Sequence, residues 1–265
     1  MGVTWGLWRL ACCIIRCRRR QRLEFARASD RACAVSMNLN EAGQQILSSL
    51  RAVEAERARR AQSPVMAAAV SAVKRFQHRR FENTYADLLA SARYAKAARF
   101  FLDELYGSGD FSQRDGEFAR VVPALVRLFP AEIVDTVRAL AQLHALSECL
   151  DSAMGSALGT PEADAQAYGR AWRKVGDPLG REQQIMLMLS VGEALDRYVR
   201  NPLLRHSLRL MRGPARAAGL AALQEFLESG FETFREMRGG SDFLHTVARR
   251  ERELAARLFA GDGAQ

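Results

Sequence analysis

From about Asn40 onward, apolar residues recur three and four positions apart, the spacing that places them on one face of an α-helix. No stretch shows the β-branched alternation that a half-buried strand requires. The first predicted helix runs from about Asn40 to Arg60, with Ile46, Leu47, Leu50 and Val53 on one stripe. Ser63 followed by Pro64 reads as an N-cap with proline in the first turn, where the missing amide hydrogen is unpaired in any case. A long helix is expected to follow, through Val73, Phe76, Phe81, Tyr85 and Leu88 to about Ala90. Ser91 caps the next, in which Tyr94, Ala98, Phe101, Leu102 and Leu105 share a face and Gly107 ends the run.

Ser108 to Arg114 reads as a loop. Helical spacing resumes at Phe118, Val121, Val122, Leu125 and Leu128, and Pro123 is expected to kink or divide that element because it removes one amide donor. Pro130 opens a long helix to about Leu158. Thr160 with Pro161, Asp177 with Pro178, and Asn201 with Pro202 repeat the cap-then-proline pattern and mark three further starts. The last two helices are expected from about Pro214 to Met237 and from a Ser241 cap, after the Gly239 and Gly240 stop, to Phe259. About ten helices result, so the fold class is all-α: a multi-helix bundle with a single core. No repeat of fixed period points to a solenoid.

Charge changes this picture at one end only. The chain carries 39 Lys and Arg against 30 Asp and Glu, a net +9 that invites a polyanion partner. Residues 1–36 hold eight of the arginines against Glu24 and Asp30, together with four of the five cysteines and two of the three tryptophans. Two thirds of the excess therefore lies in this basic leader, and residues 37–265, the predicted helical-bundle domain, carry only a modest surplus. The leader fails as a secretory signal, since its apolar run, Leu10 to Ile15, is short and is followed by the arginine cluster. It is also too short in apolar residues to span a membrane, which takes about 20, and Gly6 stands where myristoylation wants Ser or Thr. Three readings stay open for it: a mis-assigned start upstream of Met37, a disordered tail, or a peripheral anchor using Trp5, Trp8 and the arginines from Arg16 to Arg20. Arg outnumbers Lys 36 to 3, the bias of GC-rich coding, which favours the first. Beyond the leader only Cys149 remains, so neither an intrachain disulfide nor a cysteine metal cluster can form there, and the cytoplasm is the expected compartment.

The segment FFLDELYGSGDFSQRDGEFARVVP, residues 100–123, together with LHALSECLD, residues 143–151, resembles the signature of an uncharacterised all-helical family of GC-rich proteobacteria. The resemblance extends over most of residues 64–260. It implies an all-helical domain of unknown function and supplies no reaction and no catalytic residues.

Candidate chemistry gathers at two places. On the helix after Pro130, His144, Ser147, Glu148 and Asp151 fall at i, i+3, i+4 and i+7 and so share one face, beside the apolar Leu140, Leu143, Leu146 and Leu150. Such a stripe is a solvated or partner-facing edge, a buried hydrogen-bonded network, or a ligand or catalytic site in which His144 and Glu148 act together and Asp151 orients them. The second place is the loop bearing Asp110, Arg114, Asp115 and Arg120 after Tyr106, where an arginine clamps an anion or the charges cap the next helix and pair locally. The Glu-x-x-His units of a di-iron bundle are absent, and no metal site or cofactor is expected. The basic stretches Lys74, Arg75, Arg79, Arg80 and Arg205, Arg209, Arg212, Arg216 lack any readout motif and read as solvated faces. No Walker loop, dinucleotide fingerprint or nucleophile elbow is present.

The sequence thus describes a cytosolic helical bundle that reads first as an interaction or structural module. The alternative is a small-molecule-binding or metal-binding bundle, with or without enzymatic activity, that uses the His/Glu/Asp stripe and the adjacent Arg/Asp loop. A protein partner or self-association is open, nucleic acid is not expected, and membrane association is expected only if residues 1–36 belong to the native protein.

Overall fold

The computed structural model describes residues 28–104, 109 and 111–261, so the readings placed on residues 1–27, Tyr106 and Asp110 lie outside it. Among the described residues every regular element is a helix. Helix α1 (Ala28–Ala61) starts well before the predicted Asn40, which puts Met37 inside the helix rather than in front of it. Helix α2 (Pro64–Thr84) is capped by Ser63, whose Oγ accepts from the Met66 amide at 3.3 Å. The single long helix predicted to Ala90 breaks at Tyr85, and α3 (Ala86–Ala90) follows. Tyr85 is fully buried, and its hydroxyl donates to Glu251 at 2.8 Å.

Helix α4 (Ala95–Glu104) follows Ser91, whose hydroxyl accepts from the Arg93 and Tyr94 amides. Helix α5 (Ser112–Leu128) takes in Arg114 and Asp115, expected in or beside a loop, and runs unbroken across Pro123. Its neighbours Val122 and Val126 pack on Ala42, Ile46 and Leu50 of α1, and that burial outweighs the one lost amide bond. Helix α6 (Ala131–Leu158) ends at the left-handed Gly159. Helix α7 (Ala165–Val175) starts four residues after Pro161 because Asp164, not Thr160, caps it, accepting from the Ala167 amide at 2.7 Å.

Helices α8 (Pro178–Tyr198) and α9 (Pro202–Leu210) start at the predicted caps Asp177 and Asn201. The helix expected from Pro214 is divided at Gly219, φ +66°, into α10 (Arg212–Ala217) and α11 (Ala221–Met237). Helix α12 (Ser241–Ala260) is capped from another helix: the Gly240 amide donates to Asp196 Oδ1 of α8 at 2.7 Å. The start of α11 has the same arrangement, with the Leu223 amide donating to the buried Glu117 of α5 at 2.7 Å. A carboxylate beside a helix N-terminus meets unpaired amides and the positive end of the dipole.

Helix α6 is central and touches α1, α2, α7 and α8. Around it the buried apolar residues form three clusters: α1, α5 and α6; α2, α6, α7 and α12; and α2 to α4 with α11 and α12. At Gly155, α6 lies so close to α2 that a Cβ would stand 2.4 Å from the Val70 side chain and 3.0 Å from its backbone nitrogen.

Candidate functional site

A cavity of about 440 Å³ lies among α5, α6, α8, α9 and α11 and reaches α2, α7 and α12. One seam of α6 lines it from end to end: Ile133, Val137, Leu140, His144, Ser147 and Asp151, at alternating steps of four and three. At 1.5 Å per residue the seam is about 27 Å long. Its first half is apolar and its second half polar. Helix α8 runs antiparallel along it, as two contacts fix: Gln184 Nε2 donates to Ser147 Oγ at 2.8 Å, and Tyr198 and Thr136 hydroxyls lie 2.9 Å apart. Phe118 and Leu125 of α5, Leu195 of α8, and Leu204 and Leu208 of α9 complete the apolar half.

The polar half is a set of paired charges. Asp115 accepts from His144 Nε2 at 2.9 Å and from Arg57 at 2.8 Å, with Arg114 Nε 3.9 Å away. Burial works to raise the Asp115 carboxyl, but His144 and Arg57 overcome it and hold it below its ordinary range. An ionised carboxylate only accepts, so His144 carries its proton on Nε2. Arg114 pairs with Glu104 and lies between the rings of Phe111 and Phe226, 4.3 Å from each centroid.

Glu148 is gripped from two sides, by Arg60 of α1 and by Lys74 of α2 at 2.8 Å. Burial again pushes upward, yet Lys74 and Arg60 hold the carboxyl down to about 2. Arg60 also reaches Ser152 Oγ at 3.0 Å. One turn on, Asp151 accepts from Gln77 at 3.1 Å and lies 3.8 Å from Lys74. Here burial prevails over the pull of Lys74, the neighbouring Glu148 adds to it, and the carboxyl is raised. Gln77 also reaches the Tyr168 hydroxyl at 3.4 Å, and Arg80 binds Glu251 through two nitrogens at 2.7 and 3.2 Å. Arg181 closes the polar end, stacked on Trp172 with its guanidinium carbon 3.9 Å from the ring centroid.

Of the residues singled out in the sequence, His144, Ser147, Glu148, Asp151, Arg114 and Asp115 all line this one cavity. Arg120 does not: it donates to the Gly219 carbonyl and holds the turn between α10 and α11. His144 and Glu148 share no ligand, since each has its own partner, and among the described residues no group of three His, Cys, Asp or Glu is placed to hold a metal ion. The basic stretches are not solvated faces throughout, because Lys74 and Arg80 point inward to Glu148 and Glu251, and Arg205 and Arg209 meet Glu232. Among the described residues no helix is long and apolar enough to cross a membrane.

A family model described as a domain of unknown function, DUF8198, matches residues 56–265. The chain belongs to this family. The DUF8198 span takes in every residue named above at the polar end of the cavity, Arg57 and Arg60 of α1 included, and the two segments 100–123 and 143–151. The DUF8198 description supplies no activity, and no curated protein and no solved structure matches the chain.

Proposed function

We propose that the protein is a small-molecule-binding helical bundle whose ligand is a largely apolar molecule with one polar end. The observation that carries this reading is the α6 seam, in which Ile133, Val137 and Leu140 pass into His144, Ser147 and Asp151 along a single cavity wall. Protein interiors are otherwise packed with few voids larger than a water. A volume of about 440 Å³ corresponds to about 15 waters at their liquid volume, within the range of small-molecule sites. Apolar walls with a few convergent polar groups are the usual composition of such sites.

The interaction-module reading draws on Leu203 and Leu210 of α9, which are 60% and 64% exposed. Single exposed leucines are common on surfaces, so the cavity is the stronger basis. Catalysis has less support than binding: the Ser147 hydroxyl bonds Gln184 rather than His144, and the nucleophile-to-base contact of acyl transfer is not formed.

Fluorescence titration with the neutral dye N-phenyl-1-naphthylamine tests the reading. Saturable enhancement is expected with the folded protein, and Val137→Trp, which fills the apolar half, is expected to reduce it. Absence of saturable binding in the wild type, or binding unchanged in Val137→Trp, would overturn the cavity as a ligand site.

A further inference from the structure

Each cation around the polar half has a carboxylate in ion-pair range except one. Lys74 and Arg60 share Glu148, Arg57 meets Asp115, Arg114 meets Glu104 and Arg80 meets Glu251. Arg181 is 7% exposed, and no carboxylate among the described residues lies within 4.0 Å of it. Its contacts are the face of Trp172 and a long hydrogen bond from Nη1 to Gln184 Oε1 at 3.4 Å, while Nη2 is enclosed without a partner. A guanidinium presents five donors and stays charged in proteins. Leaving such a group buried and unpaired is costly, and an anion relieves the cost.

We propose that the cavity takes an apolar-tailed carboxylic acid, its carboxylate accepting from the Arg181 guanidinium and its hydrocarbon tail running along the α6 seam past His144 toward Leu140 and Val137. Gln184 links Arg181 to Ser147, whose oxygen already accepts from Gln184 and whose hydroxyl hydrogen is left to donate. The head group therefore meets two donors within the polar half of the α6 seam. A single guanidinium with no carboxylate among the described residues within 4.0 Å, felt by Asp151 only at longer range, matches a monoanion, which favours a carboxylate over a phosphate monoester. Burial raises the Asp151 carboxyl against the pull of Lys74 and, more weakly, of Arg181. With about 15 water volumes to fill, a chain of on the order of 12 carbons fits.

The inference rests on the cavity being a ligand site, and the test separates the two. Isothermal titration compares dodecanoate with dodecan-1-ol, below their aggregation limits, on the wild type, Arg181→Met and Arg181→Lys, each checked by its melting curve. The acid is expected to bind the wild type at least about tenfold more tightly than the alcohol, the strength of a charge-assisted hydrogen bond. Arg181→Met is expected to erase that preference by weakening the acid far more than the alcohol, and Arg181→Lys to keep part of it. Equal binding of acid and alcohol by the wild type, a preference that survives in Arg181→Met, or dodecyl phosphate binding more tightly than dodecanoate would overturn the carboxylate assignment and leave the cavity reading standing. Failure of both acid and alcohol to bind would overturn the two together.

Discussion

Lys74 Nζ stands 2.8 Å from Glu148 Oε1, on a carboxylate that Arg60 holds by its other oxygen, so one acidic side chain of α6 ties down two cations from α1 and α2. Glu148→Gln would leave the buried Arg60 without its charge partner and the half-buried Lys74 with only Asp151 at 3.8 Å, a loss expected at about 3 kcal/mol. The acid limb has a definite sign. A carboxyl lowered from 4.5 to about 2 contributes stability that is fully present above 4.5 and is lost as pH falls toward 2. Urea unfolding at pH 7 should show the full deficit, and the gap between wild type and Glu148→Gln should close as pH falls through that window. A gap of equal size at pH 7 and pH 2.5 would contradict it.

Asp151, one turn away, has the opposite sign. Burial raises its carboxyl despite Lys74, so its ionisation costs stability as pH rises above the ordinary 3.8. Asp151→Asn keeps an oxygen to accept from Gln77 and removes that cost. The variant is expected to melt above the wild type at pH 8, with the difference shrinking toward pH 4; a lower melting temperature at pH 8 would count against it.

Helix approach distances give a paired prediction. At Gly155 an added methyl meets Val70 at 2.4 Å and the Val70 backbone at 3.0 Å, whereas at Gly116 in α5 nothing lies within 4 Å. Gly155→Ala is therefore expected to destabilise by about 2 kcal/mol through overpacking, and Gly116→Ala to stabilise by up to about 1 kcal/mol through helix propensity. Chemical denaturation of both variants checks the contrast, which fails if the two shifts have the same sign.

Helix spacing made much of this legible. The His144, Ser147, Glu148 and Asp151 face followed from residue numbers alone, as did the starts at Pro64, Pro178 and Pro202. Their partners did not, because Arg57, Arg60, Lys74 and Arg181 come from other helices and pairing across a bundle leaves no local pattern. A signal was nonetheless present. Arg57 and Arg60 continue the Ile46, Leu50, Val53 stripe at the same steps of four and three, and a charge standing in register with an apolar stripe is a charge carried inward. Ile133, Val137 and Leu140 were equally visible as apolar positions, but a cavity wall and a packed core write the same pattern. The caps supplied by Glu117 and Asp196 are likewise tertiary, so local pattern places the start of α12 at Ser241 correctly but assigns its cap to Ser241 instead of Asp196.

Helix α9 is the least anchored wall of the cavity. It has no buried residue, yet Leu204 and Leu208 close the apolar half. Glu232 of α11 meets Arg205 and Arg209 at 2.8 and 3.1 Å, Glu228 meets Arg212 of α10 at 2.6 Å, and Gln224 donates to the Leu208 carbonyl at 2.7 Å. Exposed ion pairs of this kind stabilise little and are screened by salt. Replacing Glu228 and Glu232 together by Ala should leave the melting temperature nearly unchanged while speeding amide exchange in residues 203–211. Exchange in α6, held by Glu148 and the core, should stay at the wild-type rate, and 1 M salt should reproduce the α9 effect in the wild type. Hydrogen exchange read by mass spectrometry separates the outcomes: acceleration spread evenly over α6 and α9, or absent from α9, would show that this wall opens only with the whole bundle.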